Sequence, residues 1–109
     1  MTLSPQDAQA HSNLGLTLQE LGRLEEAEAS LRQTISLKPE YAEAYNNLGN
    51  TLKELGRLEE AMSSYTKAIE LNPHLSGSRK NLVQLLTSYA PHEKISHPIV
   101  KLNKKIKKI

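Results

Sequence analysis

The 109-residue chain contains no cysteine, no phenylalanine and no tryptophan, and its only aromatic residues are four tyrosines. Without cysteine there are no disulfides and no thiolate nucleophile, and nothing points to an oxidising compartment. Without the two largest apolar side chains, any core is built from leucine, isoleucine and alanine. No run approaches the ~18 consecutive apolar residues of a membrane-crossing helix. The first ten residues lack the basic-then-apolar order of a secretory signal, so a soluble, cytoplasmic protein is expected. Leu, Ala, Glu, Lys and Arg dominate what remains, a composition that favours helix.

The formal net charge of +2 is unevenly distributed. Residues 1–90 carry 8 Lys and Arg against 11 Asp and Glu, whereas residues 91–109 carry 6 Lys and one Glu. The two stretches are therefore read separately.

The phrase LGRLEEA occurs at 21–27 and again at 55–61, a spacing of 34. Laying 8–41 over 42–75 aligns 34 residues without a gap, and 19 of them are identical. Each unit reads as two helices. In the second, Ala44, Tyr45, Leu48, Leu52 and Leu55 follow the spacing of one helical face, Gly56 stands where a left-handed cap is wanted, and a second periodic run from Leu58 to Leu71 stops before Pro73. The first unit repeats this with Gly22 and Pro39, and Ser4, Pro5 and Asp7 read as its capping start. The repeated phrase is thus a hairpin corner: a last core leucine, a glycine cap, a solvated arginine and an acidic first turn favoured by the helix dipole.

Gly15 and Gly49 lie mid-helix, where glycine costs about 1 kcal/mol relative to alanine. A cost that recurs in register needs a recurring cause. The expected one is a crossing so close that a β-carbon would clash, with Ala27 and Ala61 on the facing helices.

A 34-residue helix–turn–helix bearing Tyr45, Leu48, Gly49, Leu52, Ala61, Tyr65, Ala68 and Pro73 at these offsets resembles the tetratricopeptide repeat (TPR) family. The first unit departs from the pattern at His11, Leu31 and Thr34. The resemblance implies an all-α, right-handed TPR superhelix of two repeats plus a C-terminal capping helix. Its expected divisions are a lead-in at 1–7, repeats at 8–41 and 42–75, the cap at 76–90 and a Lys-rich tail at 91–109. In the third stretch Leu82, Leu86 and Tyr89 keep the phase, but Val83 takes the glycine position and Pro91 closes the helix. Repeat arrays need such a solvating end.

No catalytic constellation is visible. His11, His74, His92 and His97 stand beside no nucleophile, and no glycine loop cradles phosphate. His92 and His97 lack a third metal ligand. Glu25-Glu26 and Glu59-Glu60 read as first-turn surface carboxylates rather than acid–base pairs. No enzyme activity, cofactor, metal or small-molecule substrate is expected. Asn13, Asn47 and Asn81 recur at spacings of 34. By the resemblance, the first helix of each pair lines a concave groove whose asparagines meet a peptide backbone. That groove would comprise Gln9, Ser12, Asn13, Glu43, Asn46, Asn47, Asn50, Lys53, Lys80, Asn81 and Gln84. The bland alternative is that these amides hydrate a polar face or bridge helices. Ser12 and Leu16 occupy the positions where TPR co-chaperones carry the Lys and Asn that hold a C-terminal carboxylate, so that clamp is not expected.

The wording AYNNLGNTLKELG is similar to arrays fused to glycosyltransferases and related bacterial enzymes. The expected function is a protein-interaction adaptor binding a peptide segment. A scaffold fragment of a larger enzyme such as a transferase, or a unit self-associating through its end repeats, is the alternative. The tail places Ile99, Leu102, Ile106 and Ile109 along one seam among lysines. Contact of that tail with nucleic acid or anionic membrane is the weaker expectation, because it has no aromatics to stack on bases.

Overall fold

The computed structural model describes residues 7–75 and 77–89. The described residues form five helices and no strand: α1 (Ala8–Glu20), α2 (Leu24–Leu37), α3 (Ala42–Glu54), α4 (Leu58–Leu71) and α5 (Ser78–Tyr89). The tail at 91–109, with its seam, its lysines and its two histidines, lies outside the described residues, as do Ser4 and Pro5. The cap of α1 is Asp7, whose carboxylate accepts a hydrogen bond from the Ala10 N–H at 3.1 Å. Asp7 thus takes the role expected of Ser4, satisfying one of the orphan donors of the first turn.

The two hairpin corners are the same motif built twice. Gly22 and Gly56 sit at φ +80° and +81°, where a β-carbon would be strained. The amide of Gly22 donates to the Gln19 carbonyl and that of Arg23 to the Leu18 carbonyl; Gly56 and Arg57 donate likewise to Lys53 and Leu52. These paired bonds close the helix C-terminus as a Schellman motif. At the far ends, Lys38 and Asn72 precede prolines and leave the helical region, with φ −144° and −149°, which stops α2 and α4.

Each first helix packs against its own second helix and against the pair before it: α1 on α2, α2 on α3, α3 on α4 and α4 on α5. The first helices also touch one another, α1 with α3 and α3 with α5, so they share one continuous face. The core runs through Leu31, Leu48, Leu52, Ala61, Tyr65, Ile69, Leu82, Leu85 and Leu86. The glycine crossings are as tight as the register predicts. A β-carbon on Gly15 would stand 2.7 Å from Leu31 Cγ, and one on Gly49 would stand 2.7 Å from Tyr65 Cδ1 and Cε1. Two corrections apply to the corner phrase. Leu21 is 65% exposed and not a core residue, although its counterpart Leu55 packs against the core. The corner arginines are engaged rather than merely solvated: Arg23 pairs with Glu26 at 2.7 Å and Arg57 with Glu60, the second acid of the same phrase.

The array is better buried in the middle than at its start. Leu14 is 38% exposed while Leu48, at the same repeat position, is 3% exposed. Among the described residues nothing packs before α1, whereas α3 leans on α2. At the other end Val83, in the glycine position, is 48% exposed, because no described helix crosses α5 there. Ser78 falls at the repeat position of Ala44 and is fully buried, and its hydroxyl has no hydrogen-bond partner. Burying an unpaired hydroxyl costs about 1–3 kcal/mol. Ser78→Ala is therefore expected to stabilise the chain by about 1 kcal/mol in urea denaturation, and a loss of stability would show that the hydroxyl has a partner.

Candidate functional site

The shared face of α1, α3 and α5 carries a network of amides. Asn81 on α5 donates through Nδ2 to Asn46 Oδ1 at 3.2 Å and to Asn50 Oδ1 at 3.3 Å, both on α3. From beneath, the buried Tyr65 hydroxyl on α4 donates to the same Asn50 Oδ1 at 2.5 Å. The Asn50 oxygen is thus shared by two donors from different helices, which ties α3, α4 and α5 together. As placed, the amino groups of Asn50 and Asn46 and the oxygen of Asn81 make no hydrogen bond among the described residues.

Toward α1 the same face continues with Gln9, whose Nε2 donates to Asn13 Oδ1 at 3.2 Å and whose Oε1 accepts from the Tyr41 hydroxyl at 2.7 Å. Gln19 Oε1 accepts from the buried Thr51 hydroxyl at 3.2 Å, a further link between α1 and α3. Asn47 is half-buried and its side chain makes no hydrogen bond among the described residues; its main-chain carbonyl accepts from Thr51 at 3.1 Å. Glu43, Lys80 and Gln84 are exposed and Lys53 is half-buried. Ser12 is only 6% exposed, so its hydroxyl offers little to a ligand.

The structure thus brings together Asn46, Asn50 and Asn81, while the in-register series Asn13, Asn47 and Asn81 does not form one cluster. Four participants were not among the residues that sequence reasoning placed in the groove: Tyr65, named there only as a family position, and Tyr41, Gln19 and Thr51. A signal existed for Tyr65, since a tyrosine buried in a slot that Leu31 fills in the first repeat must find a partner for its hydroxyl. Burial, with a contribution from the nearby charge of Glu54, pushes the Tyr65 phenol up to about 12. The neutral form is the one the fold favours, so its contribution is complete below the ordinary value of 10 and falls away as pH rises from 10 to about 12. Alkaline titration followed at 295 nm is expected to show one phenol ionising last, and Tyr65→Phe to remove that step alone.

The opposite side of the array is held by charge. Glu28 on α2 accepts from Arg57 at 2.7 Å, across the repeat boundary, and from Arg32 at 2.9 Å on its own helix. Burial disfavours the ionised Glu28, but the hydrogen bonds from Arg57 and Arg32 outweigh it and hold the carboxyl below its usual range. No group of three or more His, Cys, Asp or Glu side chains poised to hold a metal occurs among the described residues, and none of their helices is long and apolar enough to cross a membrane.

Stacked helix hairpins of 34 residues, glycine crossings and a polar face along the first helices define a helical-repeat solenoid. Residues 42–75 match the family profile described as Tetratricopeptide repeat, and residues 18–56 match one described as TPR repeat. The chain belongs to the tetratricopeptide repeat family. No curated protein sequence matches it significantly. Among solved structures it is similar to an O-GlcNAc transferase mutant of Thermobaculum terrenum, at 32% identity and TM-score 0.77, over 80% of this chain and 17% of that one. The second TPR domain of human RPAP3, solved with the HSP70 peptide SGPTIEEVD, is 25% identical with TM-score 0.69, over 72% of this chain and 66% of that one. The first TPR of Spaghetti (RPAP3), solved with the HSP90 peptide SRMEEVD, is 24% identical with TM-score 0.72, over 75% and 65%. The chain spans less than two thirds of the length of each.

Proposed function

We propose that this chain is a protein-interaction module that holds an extended peptide segment along the face of α1, α3 and α5. In this reading 8–41 and 42–75 are the repeats, 76–90 is the cap, and the groove is drawn from Gln9, Asn13, Glu43, Asn46, Asn47, Asn50, Lys53, Lys80, Asn81 and Gln84, with Ser12 contributing backbone and shape. The observation that carries it is the hydrogen-bonded amide cluster on α3 and α5, which leaves amide atoms over for a ligand. Two free NH2 groups and one free amide oxygen are the complement of peptide carbonyls and N–H groups. They are held in place before any ligand arrives, so little ordering cost falls on binding. The two RPAP3 domains were solved with acidic peptides, and Lys53 and Lys80 supply cations to the proposed groove here. With Ser12 and Leu16 in place of a carboxylate clamp, recognition rests on the peptide backbone rather than on its terminus.

The test is a peptide array probed with the full chain and with Asn47→Ala. Because the Asn47 side chain holds nothing in the fold, the variant is expected to keep its melting temperature and lose about tenfold in affinity for the captured peptides. Capture unchanged in Asn47→Ala and in Gln84→Ala would remove this face from the function. The 32% identity to the O-GlcNAc transferase favours a second reading, in which the same face presents substrate segments to a transferase. Both readings need the same groove. They part on whether capture by the array raises glycosyl transfer to the captured segment.

A further inference from the structure

On the other side of the array, α2, α3 and α4 frame an open cavity of about 520 Å³ that plays no part in the amide face. Its apolar wall is Leu48, almost fully buried, with the half-buried Ile35 and Tyr45. The charged side chains lining it are Arg32 and Lys67, and no carboxylate lines it. Arg32 is drawn toward Glu28 at 2.9 Å, whereas Lys67 makes no ion pair among the described residues. Ser64 also lines the cavity. It is 8% exposed as a residue, while its hydroxyl makes no hydrogen bond among the described residues and is not fully buried, so it can be reached from the cavity. The Tyr45 hydroxyl likewise has no partner there.

We infer that this cavity is a binding site for a small organic monoanion with a compact apolar body, an aryl or branched aliphatic carboxylate. The body would lie against Leu48, Ile35 and Tyr45, while the carboxylate would accept from Ser64 and face Lys67. The volume falls among small-molecule pockets rather than extended peptide grooves. With Arg32 engaged by Glu28, Lys67 is the cation left to favour an anion over a neutral or basic analogue. The feature is particular to this interface. One repeat on, Arg79 replaces Tyr45 and Thr66 replaces Arg32, so the apolar wall and the pair of cations are not rebuilt.

The experiment is a titration of the isotope-labelled full chain with 4-phenylbutyrate, 4-phenylbutanamide and 4-phenylbutylamine, followed by amide chemical shifts. The carboxylate is expected to give saturable shifts centred on Ser64 and Lys67, with the amide and the amine at least about fivefold weaker. Lys67→Gln and Ser64→Ala are each expected to weaken the carboxylate by about fivefold or more, with helicity unchanged. Shifts that do not saturate, that centre on the α1–α3–α5 face, or that are equal for acid and amine would overturn the assignment. So would binding of an acidic Glu-Glu-Leu-Asp peptide in the cavity where the small acid fails, or shifts of these residues on concentrating the protein alone. Retained peptide capture in Lys67→Gln separates failure here from failure of the groove reading.

Discussion

Gly49→Leu is expected to destabilise the chain by about 3 kcal/mol, a large part of the ~5–15 kcal/mol that holds a small domain folded. The cause is local. Even the β-carbon would stand 2.7 Å from two ring atoms of Tyr65 and 3.0 Å from a third. Those atoms belong to a ring that is fully buried and anchored by its hydroxyl to Asn50, not to the free end of a flexible chain. The ring cannot swing away, so α3 and α4 must separate. The same displacement would carry Tyr65 off Asn50 and release the amide cluster, so peptide capture should fall along with stability. Arg57→Ala is the comparison. It removes the contacts to Glu28 and Glu60 at an exposed position, and its effect should be small and should shrink with added salt. Chemical denaturation of the three proteins decides the matter; a Gly49→Leu midpoint near that of the parent would mean the helices do not cross there.

How far the molecule was legible beforehand depends on which physics wrote each feature. Helices, corners and glycine crossings follow from periodicity within a helix, and a 34-residue repeat states each of them twice. Features that depend on neighbours far along the chain were harder to see. Leu21 keeps the phase of the core but belongs to the first hairpin, before which nothing packs among the described residues, whereas Leu55 at the same repeat position packs against the core; its pattern was right and its burial was not. Ser12 is polar in sequence and nearly enclosed in the fold, because a small side chain fits the α1 packing surface whatever its polarity.

The asparagine series shows the same limit more sharply. Equal spacing places Asn13, Asn47 and Asn81 at equivalent points of successive helices, but equivalent points on neighbouring helices are not the nearest points. Asn81 instead meets residues 35 and 31 positions before it, Asn46 and Asn50. The bridging alternative weighed for these amides is therefore realised at Asn81. Bridging and binding are compatible here, since the bridge uses one end of each amide and leaves the other over.

The close crossing in the first repeat makes a stronger demand, on two residues at once. Leu31 is fully buried, and its Cγ lies 2.7 Å from the place a β-carbon on Gly15 would take. Leu31→Ala alone is expected to cost about 3–4 kcal/mol, well within the range for buried leucine, because the glycine opposite has no side chain to move into the void. Gly15→Ala alone should cost about 1 kcal/mol, the clash exceeding the ~1 kcal/mol that alanine gains as a helix former. In the Leu31→Ala background the sign should reverse. The new methyl then occupies the volume that Leu31 vacated, its next contact being the Ala27 carbonyl oxygen at an ordinary 3.4 Å. The helix-forming gain is no longer opposed, so the double variant should be more stable than Leu31→Ala by about 1 kcal/mol. That makes a coupling of about 2 kcal/mol in the cycle, well above what separated residues show. Urea midpoints for the four proteins measure it directly. Additive single changes would mean that Gly15 is present for some reason other than the nearness of α2, and the repeated glycine would then need a different explanation in both repeats.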